Sequence, residues 1–282
     1  MMTSGVAFRD YMTMPGLSAT ALKAGRTSML HMHEVVAGPP KDATPAMRLG
    51  TLIHAAILEP QLFISSAAVW TGAQKRGGAW EKFKECNDSE WIVTEDEYGA
   101  MMSISASVHG HRDAHRLVAE TEHEVCVDWS SPRYGAARAR FDGYGEHVGL
   151  VEVKTTRQID LSAFWRGSYN MGYHLQLGWY QLGAEVNVGH GNIPVHVIII
   201  EQTRPYDVVV ARVPQPILDR GREEAESIAV NYRICERVHA FSGVADGIVD
   251  YELPTWADGG GDDGGLSDEA VGKLVEMEAG SL

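Results

Sequence analysis

The period of the hydrophobic pattern first changes near Glu124, from helical to alternating, and that change restricts the fold more than any other feature. Before it, apolar residues recur at helical spacing. After it they alternate, and Glu124 to Trp129, Ala136 to Asp142 and Gly149 to Thr155 read as three successive strands separated by turn-forming residues, a meander. A helical stretch around Met171 to Ala184 follows, then β-rich runs at Val195 to Gln202 and Asp207 to Val213 joined through an Arg204-Pro205 turn. A long amphipathic helix from about Pro216 to Phe241 closes the pattern. The order helix, three strands, helix, two strands, helix predicts a mixed α/β core with an N-terminal helical elaboration.

Capping signals mark the helices upstream. Ser18 starts a short one, and Thr44 with Pro45 supplies an N-cap hydroxyl and a proline at the first helical position, so Pro45 to Leu58 reads as a largely apolar buried helix carrying Arg48 and His54. Thr94 with Glu97 is a capping box that predicts a helix through about Leu117. Between them, Thr71 to Asn87 reads as a surface loop plus a short helix, basic at Lys75 and Arg76. We therefore expect one domain over residues 1–256, mainly helical to residue 120 and α/β over 121–241, followed by a Gly/Asp-rich flexible tail at 257–282 that has room for a short helix.

With 44% hydrophobic and 22% charged residues, the chain is neither disordered nor fibrous. It has no run near the roughly 20 apolar residues of a membrane helix, and Met1 to Asp10 lacks the apolar core of a secretion signal, so a soluble, cytoplasmic protein is expected. Cys86, Cys126 and Cys235 form no CxxC pair and give no support for a disulfide framework, structural zinc or an iron-sulfur cluster. The formal charge of −14 argues superficially against a nucleic-acid partner. That argument is weak, because seven acids against Lys273 in the tail leave −6 there and only −8 elsewhere, and net charge says nothing of a local basic groove.

The stretch from Ala139 to Thr156 carries the chemistry. Side chains two apart on a strand share a face, so Glu152 and Lys154 project together while Val151 and Val153 enter the opposite packing layer. A hairpin across Gly143 to Gly149 can bring Asp142 beside Glu152. Two carboxylates there make a hard oxygen site suited to Mg²⁺ or Mn²⁺, and the Lys154 ammonium is placed to orient or help deprotonate a water or to offset charge on a phosphate. Taken alone, Glu-x-Lys on a strand is more often a solvated face. Gln176 and Tyr180, four apart on a helix, share one face and suit contacts to phosphate or a base, against the plainer reading of a half-buried amphipathic helix. His54 reads by default as a satisfied core histidine, and alternatively as a further metal ligand.

The ordered set His54, Asp142, Glu152-Val153-Lys154 and Gln176-x-x-x-Tyr180 resembles the RecB-type branch of the PD-(D/E)xK nuclease superfamily. Pro15-Gly16-Leu17-Ser18, the phrase TPAMRLGTLIHAAILEP from Thr44 to Pro60, and Phe63 are similar to the C-terminal nuclease domain of RecE-like exodeoxyribonuclease VIII proteins of phages and prophages, over about residues 8 to 240. The resemblance implies a mixed central sheet flanked by helices. It also implies that His54, Asp142, Glu152 and the backbone carbonyl of Val153 hold Mg²⁺ or Mn²⁺, that Lys154 is the catalytic lysine, and that Gln176 and Tyr180 position DNA or the metal-site water. Glu124 matches a position where the family carries an acid, although a salt-bridged structural glutamate fits equally well. The implied activity is degradation of one strand of duplex DNA from its 5′ end, leaving 5′ phosphates, in partnership with a RecT-like single-strand annealing protein. Such enzymes can assemble as rings, so a homo-oligomer is compatible with the resemblance. Arg48, Lys75, Arg76, Arg138, Arg140, Arg157 and Arg166 are candidate phosphate contacts by closeness in sequence to the motifs. No GxxxxGK[ST] loop occurs, so ATP is not expected to drive the reaction. Two other readings stand beside this one: a RecB-family nuclease acting on single-stranded or branched DNA, and a noncatalytic DNA-binding or assembly protein that retains the fold.

Overall fold

The computed structural model describes residues 2–6, 8–39, 42–72, 74–87, 89 and 91–253. The chain divides into two units, Met1–Val244 and Ala245–Leu282. In the second, residues 245–253 carry no helix or strand, and the expected acidic tail at 257–282 lies outside the described residues.

The first unit begins with β1 (Met2–Thr3), α1 (Phe8–Thr13), α2 (Ala19–Gly25), α3 (Met29–Ala37), α4 (Pro45–Leu58) and α5 (Pro60–Ser66). It continues through β2 (Ala68–Trp70), α6 (Gly78–Cys86), β3 (Ile92–Thr94), α7 (Glu95–Gly110) and α8 (Arg112–Ala119). The sheet-forming part holds β4 (Glu122–Ser131), β5 (Gly135–Gly145), β6 (Gly149–Thr156), α9 (Leu161–Asn170), α10 (Tyr173–Val188), β7 (Val195–Glu201), β8 (Val208–Arg212) and α11 (Gln215–Val238).

Local chemistry sets several of these bounds. The Thr44 hydroxyl accepts from the Met47 amide and Pro45 opens α4, as its sequence predicts. The Thr94–Glu97 capping box forms in both directions. The helix it starts is shorter than expected, because the chain turns extended at His111, whose ring caps α8 by accepting from the Ala114 amide. The single helix through Leu117 is therefore two.

Six strands form one sheet in the order β1-β4-β5-β6-β7-β8, antiparallel throughout except for the parallel β6–β7 pair. Parallel neighbours need a crossover, and α9 and α10 provide it. The sheet separates two apolar cores. One gathers Val125, Val127, Ala137, Ala139, Phe141 and Leu150 with Leu175 and Trp179 of α10. The other takes Val151 and Val153 of β6 with Ile53, Ile57, Met101 and Ile104 of α4 and α7. Two glycines let α10 and α11 approach closely: a Cβ on Gly221 would lie 1.9 Å from the His174 carbonyl oxygen, and one on Gly178 would lie 2.4 Å from the Arg222 amide nitrogen.

Candidate active site

The regular pairing of β5 fails on both sides at Asp142. Its register with β4 passes from His123↔Gly143 to Val125↔Phe141 and skips the Glu124–Asp142 pair, where Glu124 has a φ of 54°. Its ladder with β6 ends at Gly143↔Val151, before Glu152 and Val153. Facing also slips here. Ala137, Ala139 and Phe141 enter the first core, whereas beyond Asp142 it is the even-numbered Tyr144 that packs against it. At this fork the side chain takes over from the backbone: Asp142 Oδ2 accepts from the Val153 amide at 2.7 Å.

Two sets of partners meet at the fork. From α4, His54 Nδ1 lies 3.3 Å from Asp142 Oδ1. On the other side, Lys154 Nζ donates to Glu152 Oε1 at 2.6 Å, and Gln176 Nε2 of α10 donates to the same oxygen at 2.7 Å and to the Tyr180 hydroxyl at 3.1 Å. Lys23 of α2 completes this set by donating to Gln176 Oε1 at 3.0 Å. The Tyr173 ring lies 4.8 Å from Lys154 Nζ and 5.8 Å from Lys23 Nζ.

These contacts separate the two carboxyls. Burial pushes Asp142 up, but the charge and hydrogen bond of His54, then Lys154 and the Val153 amide, hold it below the usual aspartate value. Burial and the nearby Asp142 charge raise Glu152 against the pull of Lys154. Lys154 itself, despite burial, is held in its charged form by Glu152 and Asp142. His54 is likewise raised, since the Asp142 carboxylate outweighs burial. Burial and the Lys154 charge lower Lys23 to about 8. Glu124, paired with Arg140 at 2.8 Å, is pushed up to about 7 by burial and by Asp142.

The donor set suits a hard divalent cation: two buried carboxylates, an imidazole, and Glu152 Oε2, a buried oxygen with no hydrogen-bond partner. Among the described residues no three His, Cys, Asp or Glu side chains stand together as a ready cluster. Lys154, Gln176, His54 and the Val153 amide contact three of the four carboxylate oxygens of Asp142 and Glu152.

The candidate phosphate contacts scatter. Arg138 spends its guanidinium on the carbonyls of Tyr11, Met12 and Met14, fixing the N-terminal segment, and Arg140 is taken by Glu124. Lys75 pairs with Glu97 at 2.6 Å, Arg48 donates to the Ile92 carbonyl, and Arg76 donates to Gln74. Arg157 and Arg166 are exposed and form no ion pair among the described residues. Sequence reasoning missed Lys23 and Tyr173. Lys23 had a signal, being the single charged residue in the ATALKAG helix. Tyr173 had none, because its place depends on how α10 meets β6.

Residues 18–247 match a PDDEXK-like domain of unknown function, DUF3799. No curated protein matches the chain. Among solved structures, a "Putative exonuclease" from Eubacterium rectale superposes with a TM-score of 0.62 at 12% identity, covering 92% of this chain and all of its own. A second, described as SSO0001, reaches a TM-score of only 0.27 at 11% identity, covering 76% of this chain and 87% of its own, and carries no argument.

Proposed function

Since the chain belongs to the PDDEXK-like DUF3799 family, whose fold is a nuclease fold, we propose that it is a metal-dependent DNA exonuclease. In this reading it hydrolyses one strand of duplex DNA from the 5′ end and exposes 3′ single strands for annealing by a RecT-like partner. The observation that carries the reading is the fork at Asp142, where carboxylates bracketed from α4 and from α10 share one buried site with an ammonium. Polarity and partner rest on the sequence resemblance of the Thr44–Pro60 phrase.

Asp142, Glu152, His54 and the Val153 carbonyl would hold Mg²⁺ or Mn²⁺. Such an ion supplies charge neutralisation at the phosphodiester and activation of water. The chain's own groups supply the rest. Lys154, held as an ammonium, donates hydrogen bonds and offsets charge on nonbridging oxygens, but is poorly suited to remove a proton. Gln176 fixes Glu152, and Tyr180, raised well above its usual value by burial and by Glu152, stays a neutral donor. His54 keeps Asp142 ionised.

The test uses blunt duplexes labelled separately at 5′ and 3′ ends, with Mg²⁺, with Mn²⁺ and with EDTA. Metal-dependent loss of 5′-terminal nucleotides is expected. Preferential attack on 3′ ends or on single strands would reject the polarity, and intact DNA under every metal condition would reject the nuclease itself.

A further inference from the structure

A cavity of about 670 Å³ opens beside the catalytic cluster, between α9, the start of α10, β7, β8 and the start of α11. That is within the roughly 300–1,000 Å³ of small-ligand sites. Its walls are aromatic and aliphatic, including Phe164, Trp165, Tyr169 and Tyr173. Trp165 is 47% exposed and meets Phe164 in a T-shaped contact, with ring centroids 5.3 Å apart and planes at 78°, and its indole has no stacked ring partner among the described residues. Tyr169, by contrast, already stacks on His174.

Two observations say what this cavity takes. Lys154 lines it while also contacting Glu152, and Tyr173, beneath the Lys154 ammonium, is a wall of the same space, so an occupant sits next to the reacting phosphate. Arg212 and Arg220 also line it, and neither makes an ion pair or a side-chain hydrogen bond with any described residue. Apolar faces flanked by unpaired cations beside a phosphodiester site match a nucleotide, with its base against the rings and its backbone along the arginines. A fully paired base exposes no face to a ring.

We propose that this groove stacks an unpaired nucleobase of the strand being cut, chiefly on Trp165, so that the enzyme engages a terminal nucleotide peeled from its complement. The proposal rests on the nuclease reading above. The surface the walls present is mostly apolar, so the base is held by its face without sequence preference.

The test places 2-aminopurine at the 5′-terminal position of a duplex whose last two base pairs are mismatched, and titrates it with protein in EDTA, so that no turnover intervenes. Wild type should quench the analogue. Trp165→Leu, which keeps apolar area without the stacking face, should abolish the quenching and weaken binding about tenfold. Trp165→Ala should do the same, with thermal melting confirming that both variants fold. Equal quenching and affinity in wild type and Trp165→Leu would overturn the proposal. So would an unchanged analogue signal accompanied by a smaller oligomer in Trp165→Ala, which would assign the face to a second copy of this chain. The nuclease reading is scored separately with metal present: wild type that quenches the analogue yet cuts nothing sinks that reading and leaves the groove standing.

Discussion

The Asp142 side and the Glu152 side of the fork hold the same functional group in the same sheet, yet the molecule treats them oppositely. Asp142 is approached from α4, and its two oxygens meet an imidazole and a backbone amide, which keep it ionised despite burial. Glu152 is approached from α10, shares one oxygen between Lys154 and Gln176, leaves the other unpartnered, and is raised by burial and by Asp142. Environment, not residue type, therefore sets the proton affinities of the two carboxyls apart. One is a settled anion, and the other keeps a raised affinity for a proton despite the Lys154 ammonium beside it.

The largest expected effect removes either half. Asp142→Asn and Glu152→Gln should each bring metal-dependent cleavage to background in a labelled-duplex assay, and Lys154→Ala should lower it by about 10²–10³-fold. A variant of either acid that cuts at the wild-type rate takes that residue out of the mechanism.

The next effect sharpens the asymmetry through pH. In metal-free protein His54 should titrate above its ordinary 6.5 by NMR, and in Asp142→Asn it should fall below 6.5, because burial and the Lys154 charge then outweigh the weaker pull of Glu152. The sign for stability follows. A raised histidine contributes below about 6.5 and its contribution is lost as pH rises through the folded value, whereas the lowered Asp142 contributes above about 3.8 and its contribution is lost on acidification. If His54 titrates identically in both proteins, the pair does not exist in solution.

A smaller effect tests how α10 is held on the Glu152 side. Gly221→Ala puts a methyl 1.9 Å from the His174 oxygen and should cost about 1–3 kcal/mol in denaturant unfolding. It should also reduce cleavage, since Gln176 moves with the helix. Asp142's partners lie elsewhere, so the His54 titration should survive this change.

The smallest is Lys23→Met. Lys23 sits near 8 in the fold against 10.5 when unfolded, so the folded state binds fewer protons and gains stability as pH rises between those values. The variant should flatten that limb of a melting-temperature profile. A limb of unchanged slope would show that Lys23 is solvated.

Much of the architecture was legible because its signals are local. Thr44-Pro45 set the start of α4, the Thr94 capping box set that of α7, and alternation located β4, β5 and β6 within a few residues. The break at His111 was not legible, since a histidine ring as a helix cap carries no composition signal. Nor was α9, whose exposed Leu161, Trp165 and Tyr169 do not resemble a buried helical face. The same blindness hid the groove, which exists only where α9, β8 and α11 meet.

The order of residues along the chain determined which chemistry is present: two acids, a lysine, a glutamine with a tyrosine one helical turn on, and a histidine on an apolar helix. Tertiary structure alone decided that the sheet opens at Asp142, that the two acids are reached from opposite sides, and that Lys23 joins them from α2. Periodicity and capping act over a few residues and can be read from neighbours, whereas a carboxyl's charge depends on what lies within a few ångströms after the chain has crossed itself.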